Sequence, residues 1–142
     1  MIAGRHFFVD RSNHNKSIKS LNKAKESMKK TPRSIIIYPE GTRSIDGSIK
    51  SFKKGGLVMA MNMGVPVVPI AMCGTRDAMQ KNVLRLSKYP LELRIGRPIE
   101  TSKIEYEKRN EFVDEVRDSV IRLKSEWYIK NNQSNPNDII QN

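Results

Sequence analysis

Two stretches of the chain place an arginine directly after an apolar run. Phe7-Phe8-Val9 leads into Asp10-Arg11, and Ile35-Ile36-Ile37-Tyr38 leads into Pro39-Glu40-Gly41-Thr42-Arg43-Ser44. Apolar runs of that length read as strands, and ligands of open α/β sheets bind outside the carboxyl ends of strands. The planar forks of Arg11 and Arg43 suit a phosphate, which accepts two parallel bonds. Gly41 permits a positive φ or a close backbone approach. Glu40 is placed to orient an arginine or lysine by a charge-assisted bond. Lys53-Lys54-Gly55-Gly56 adds two cations and opens a helix, whose N-terminus attracts anions. A structural alternative uses the same residues as two ion pairs, Asp10–Arg11 and Glu40–Arg43. Residue type and spacing leave the two readings level.

Other chemistries find no residues. There is no Gly-x-Ser-x-Gly elbow, no Gly-x-x-x-x-Gly-Lys-Ser/Thr loop and no Gly-x-Gly-x-x-Gly. Two histidines and one cysteine do not make the usual zinc site, so no metal is expected. Cys73 follows an apolar strand and reads as a buried thiol. His6 reads as a packed core histidine and His14 as an exposed loop residue. Glu111, Asp114, Glu115 and Asp118 read as the solvated face of a helix.

The 142 residues amount to about one domain. The net charge is +11, and residues 1–55 carry +9 of it, with 13 Lys/Arg against 4 Asp/Glu. Such a field concentrates anions: a phosphorylated small molecule, an acidic membrane surface or nucleic acid. Nucleic acid is disfavoured, because single-strand binders display aromatics for stacking and most of the nine aromatics here sit in apolar runs. No apolar run approaches the roughly 20 residues of a membrane-spanning helix. A basic face near residues 16–33 suits anionic headgroups.

The elements that must position these groups follow from periodicity. Ser17–Lys30 reads as a helix with Ile18, Leu21, Ala24 and Met28 on one stripe. Ile35–Tyr38 lacks polar alternation and reads as a central strand covered on both faces. Asp46-Gly47 is a turn signal. Phe52–Met63 reads as a helix closed by Gly64. Val65–Met72 is a proline-marked strand. Leu91–Gly96 alternates and reads as a half-exposed strand. Tyr106–Ile129 is an amphipathic helix with Phe112, Val113, Val116, Val120, Leu123 and Trp127 on its apolar stripe. The expected organisation is one α/β unit over residues 1–129 and a frayed polar tail over 130–142.

Tyr38-Pro39-Glu40-Gly41-Thr42-Arg43-Ser44 resembles the Phe-Pro-Glu-Gly-Thr-Arg-Ser block of the glycerolipid acyltransferases, the 1-acylglycerol-3-phosphate (lysophosphatidic acid) acyltransferases and their relatives. Gly4–Arg11 resembles their preceding Gly-x-x-Phe-Ile-Asp-Arg block. Phe52–Gly56 resembles the following lysine-glycine turn, and Val65–Ile70 the fourth block. The resemblance covers roughly residues 4–75, in family order. It implies a mixed sheet flanked by helices, and transfer of a fatty acyl group from acyl-CoA or acyl carrier protein to a lysophospholipid acceptor, giving phosphatidic acid. No bound cofactor is implied. Arg11, Glu40, Gly41, Thr42, Arg43 and Lys54 would form the phosphate site, and Pro66 and Val67 would shape the acyl or donor site. The family's catalytic His-x-x-x-x-Asp finds no match: five residues after His6 stands Arg11, and five after His14 stands Lys19. The resemblance therefore implies a C-terminal part of such an enzyme, without its first strands and membrane-anchoring helices, held peripherally on the cytoplasmic side of a membrane. The alternative is a catalytically inactive remnant that binds lipid phosphate or a membrane surface.

Overall fold

The structure, a computed structural model, describes residues 26, 27, 30, 31, 34–79 and 85–137. The Phe7–Arg11 run, both histidines and most of the Ser17–Lys30 helix lie outside the described residues; Glu26, Ser27 and Lys30 are helical.

The elements are helix α1 (Lys54–Met63), strand β1 (Ile70–Cys73), a single helical turn α2 (Thr75–Ala78), strand β2 (Glu92–Ile95), and helix α3 (Arg109–Lys130) entered through a 3-10 turn at Tyr106–Lys108. α1 begins two residues later than its apolar pattern suggests, and Gly64 closes it at φ +63. The Gly64 N–H bonds Met61 O and the Val65 N–H bonds Ala60 O, a Schellman end. Buried Thr101 donates its hydroxyl to Val65 O at 2.8 Å, which fixes the chain as it leaves the helix.

β1 and β2 pair antiparallel, with Ile70 opposite Ile95 and Met72 opposite Leu93. Further along, Val67 bridges Ile99. Two residues, Val68 and Pro69, thus lie opposite three, Gly96, Arg97 and Pro98, which is a β-bulge. This pair is the sheet among the described residues, and a parallel ladder is not present there.

α3 carries the core. Its apolar stripe packs one end against Leu57 and Met61 of α1, through Phe112, Val113 and Val116. The other end packs against Ala71, Cys73 and Ile49, through Val120 and Trp127. Half-buried Phe52 joins both clusters. Trp127 meets Tyr128 edge-to-face at 5.1 Å.

Two expectations are corrected, and a third is made more specific. Ile35–Tyr38 has no strand partner among the described residues, and Ile36 is 78% and Tyr38 63% exposed. An all-apolar run forms a covered central strand only when neighbours supply hydrogen bonds on both edges; here Ile37 lies against Gly56 of α1 instead. The half-exposed strand read at Leu91–Gly96 is present as β2, and its polar face is the covered one. Leu93 and Ile95 point to solvent, 58% and 63% exposed, while Arg94 turns toward α3 and bonds Glu126 Oε2 at 2.8 Å and Leu123 O at 3.3 Å. Finally, residues 131–137 do not fray. Asn135 is buried and donates to Ser125 Oγ, and the Ile49 N–H donates to Asn137 Oδ1 at 2.8 Å. Amide side chains that look like a solvated tail in sequence are here the caps of a distant loop.

Candidate functional site

The Pro39–Arg43 turn is closed by the Gly41 N–H donating to Tyr38 O at 3.1 Å, with Gly41 at φ +72. One backbone bond and one bond to a side chain hold it against the segment that leads into α1. The Lys53 N–H donates to Pro39 O at 2.8 Å, and the Lys50 N–H donates to the Glu40 carboxylate at 3.1 Å. The Lys53 side chain runs directly beside Gly41: a Cβ placed there would sit 3.0 Å from Lys53 Cε and 3.2 Å from its Nζ. Gly41 is thus favoured by its positive φ, and a side chain there would also push the lysine stem aside.

Arg43 and Thr42 are exposed. Neither the Arg43 guanidinium nor the Lys53 ammonium makes a hydrogen bond or ion pair among the described residues. The Glu40–Arg43 ion pair is therefore absent from this structure, and Glu40 orients a backbone amide rather than a cation. Lys54, one residue beyond Lys53, turns away and donates to Asn110 Oδ1 at 2.7 Å. It borders a cleft of ≈ 360 Å³ between Ser51–Lys54 and α3, where Arg117 and Asp114 also line the wall. Arg11 lies outside the described residues. Pro66 is exposed, whereas Val67 is half-buried, exchanges both backbone bonds with Ile99 at 2.9 and 2.8 Å, and packs on the α1 cluster. Val67 therefore packs at the edge of the core cluster beside the end of α1.

Several residues that hold the site escape sequence reasoning. The loop from Ile45 to Lys50 is stapled by cations donating to its carbonyls. Arg117 donates from Nη2 to Ile49 O at 2.8 Å and from Nε to Lys50 O at 3.1 Å. Lys124 donates to Gly47 O at 2.7 Å, and Arg76 to Ile45 O at 2.9 Å. Arg117 and Lys124 stand seven residues apart, two turns along one face of α3. That spacing was visible in the sequence, but nothing there said that the partners were carbonyls. Burial pushes the Lys124 ammonium below its ordinary range. The Ser48 hydroxyl and amide, both donating to Asp46, hold that carboxyl below the usual range. Burial raises the Cys73 thiol, which keeps it protonated in the core. Among the described residues no three His, Cys, Asp or Glu side chains group as metal ligands, and no helix is long and apolar enough to cross a membrane.

In this α/β chain Arg43 stands exposed on the Glu-Gly-Thr-Arg turn and the Lys53 side chain lies beside Gly41, both without a hydrogen-bond or ion-pair partner among the described residues. Residues 1–73 match the family model described as Acyltransferase, and the chain belongs to that family. It is 36% identical over 115 residues to the 1-acyl-sn-glycerol-3-phosphate acyltransferase of Cocos nucifera, covering 81% of this chain and 37% of that protein. The enzyme of the same name from Saccharomyces cerevisiae is 32% identical over 117 residues, covering 81% and 39%. The crystal structure of the 1-acyl-sn-glycerophosphate (LPA) acyltransferase PlsC from Thermotoga maritima superposes with a TM-score of 0.64 at 32% identity, covering 75% of this chain and 45% of that one. The chain spans about two-fifths of the length of these curated relatives.

Proposed function

We propose that this chain carries the acceptor-phosphate half of a 1-acylglycerol-3-phosphate acyltransferase. The reaction served is transfer of a fatty acyl group from acyl-CoA or acyl carrier protein to the free hydroxyl of lysophosphatidic acid, giving phosphatidic acid for phospholipid synthesis. The observation that carries the reading is a turn with a fixed backbone on which Arg43 is exposed and against which the Lys53 side chain lies, neither cation having a partner among the described residues. Two cations that have no partner among the described residues, at a preorganised turn, can grip a phosphate without first breaking ion pairs there. Glu40 shapes the turn; its charge is taken up by the Lys50 amide and does not face the phosphate. Arg11 would add a second guanidinium. Lys54 is tied to Asn110 and its part is secondary.

The general base that deprotonates the attacking hydroxyl is missing from the sequence, because no histidine here is followed five residues later by aspartate. The chain should accordingly bind the acceptor headgroup and transfer little or no acyl group. Anionic membrane lipid is the expected setting, since the net charge is +11. In a test with labelled acyl-CoA or acyl carrier protein and lysophosphatidic acid, the purified chain should form almost no phosphatidic acid. Robust transfer that Arg43→Ala leaves unchanged would overturn both the deficit and the site.

A further inference from the structure

We propose that Arg117 on α3 is a positioning residue for the phosphate-binding turn, acting on Glu40 through a single peptide group; this rests on the reading of that turn as the acceptor-phosphate site. Ile49 O and the Lys50 N–H are the two ends of one planar peptide unit. Arg117 Nη2 donates to the carbonyl end at 2.8 Å, and the amide end donates to the Glu40 carboxylate at 3.1 Å. The peptide dipole therefore lies between a guanidinium and a carboxylate, each polarising the bond the other makes. Arg117 Nε takes the next carbonyl, Lys50 O, at 3.1 Å, so the peptide units on both sides of Lys50 are held.

Glu40 sits between Pro39, whose carbonyl receives the Lys53 amide, and Gly41, against which the Lys53 side chain lies. Rotation of the Ile49–Lys50 peptide would release Glu40, and with it the geometry that sets Lys53 and Arg43 on one turn. The role needs both donors. A lysine at 117 keeps the charge but loses the fork that spans two successive carbonyls. The long helix thus sets the turn by hydrogen bonds, although Arg117 is separated from Glu40 by 77 positions in sequence.

The test uses the full chain, glycerol 3-phosphate as probe and glycerol as control, with backbone amide NMR. Arg117→Ala should weaken glycerol 3-phosphate binding about tenfold, the loss expected from a charge-assisted bond. It should move the Lys50 and Gly41 amide resonances, while Arg122→Ala, on the exposed face of α3, does neither. In a Glu40→Gln background the same substitution should weaken binding by much less than tenfold, because both act through one peptide. A purely structural Arg117 would instead lower the melting temperature and leave affinity and that coupling unchanged, which would overturn the proposal. If the original chain binds no glycerol 3-phosphate, the phosphate site itself fails. The link is then judged on the amides alone: movement of Lys50 and Gly41 supports it and silence refutes it. Should Arg117→Ala fail to fold, Arg117→Lys decides: shifted Lys50 and Gly41 amides support the proposal, and resonances like those of the original chain overturn it.

Discussion

At the scale of single residues, the separation between Lys53 and Lys54 matters most. They are neighbours in sequence, but α1 starts between them, and the first helical residue points about 100° away from its predecessor's direction. Lys53 therefore stays with Gly41 and Lys54 goes to Asn110. Lys53→Ala should lower glycerol 3-phosphate affinity about tenfold, and Lys54→Ala less than about twofold, by calorimetric titration. Gly41→Ala should cost about 1–2 kcal/mol of stability from its positive φ, read by urea unfolding, and should also displace the Lys53 stem and weaken binding. The motif residues themselves were legible in the sequence, since Glu-Gly-Thr-Arg after an apolar run is specific. The choice between adjacent lysines was not, because it turns on a helix start that periodicity placed two residues early at Phe52.

At the scale of elements, α3 does two jobs at right angles. Its apolar stripe, read correctly from a 3.6-residue period, holds the two core clusters together. Its Arg117 and Lys124 hold the loop that feeds the site. Lys124→Ala should cost about 1–3 kcal/mol in a urea melt, by leaving Gly47 O without its donor. Phe112→Ala should cost about 3–5 kcal/mol by opening a cavity between α3 and α1. Acid should loosen the same loop. The Asp46 carboxyl is depressed by Ser48, so its contribution is present above the ordinary carboxylate range and is lost as pH falls through its lowered value. Glu92 is depressed in the same sense by Arg94 and Lys130. The melting temperature should hold from neutrality to about pH 4 and fall below it, and Asp46→Asn should flatten part of that fall. The orientation of β2 was beyond the sequence for a related reason. Alternation marks two faces, but which one packs inward depends on partners such as Glu126 and Lys130, more than 30 residues away.

At the scale of the whole molecule, α3 covers one face of the β1–β2 pair and leaves the other open. Ile70, Met72, Leu93 and Ile95 form two cross-strand apolar pairs on that open face, with Leu91 alongside. A contiguous exposed apolar face of this kind binds hydrophobic dyes and promotes self-association. The chain should raise anilinonaphthalene sulfonate fluorescence at neutral pH, and Met72→Lys with Leu93→Lys should abolish the rise with little loss of stability. That face was not legible in the sequence, because it depends on β2 turning its charged residues inward.

An amide NMR titration with glycerol 3-phosphate against glycerol tests most directly whether the fixed turn offers Arg43 and Lys53 to a phosphate. Saturable shifts at Gly41, Thr42, Arg43 and Lys53 are expected with the phosphate ester alone, lost in Arg43→Ala. Equal shifts with glycerol, or phosphate-dependent shifts confined to other lysines and untouched by Arg43→Ala, would contradict it.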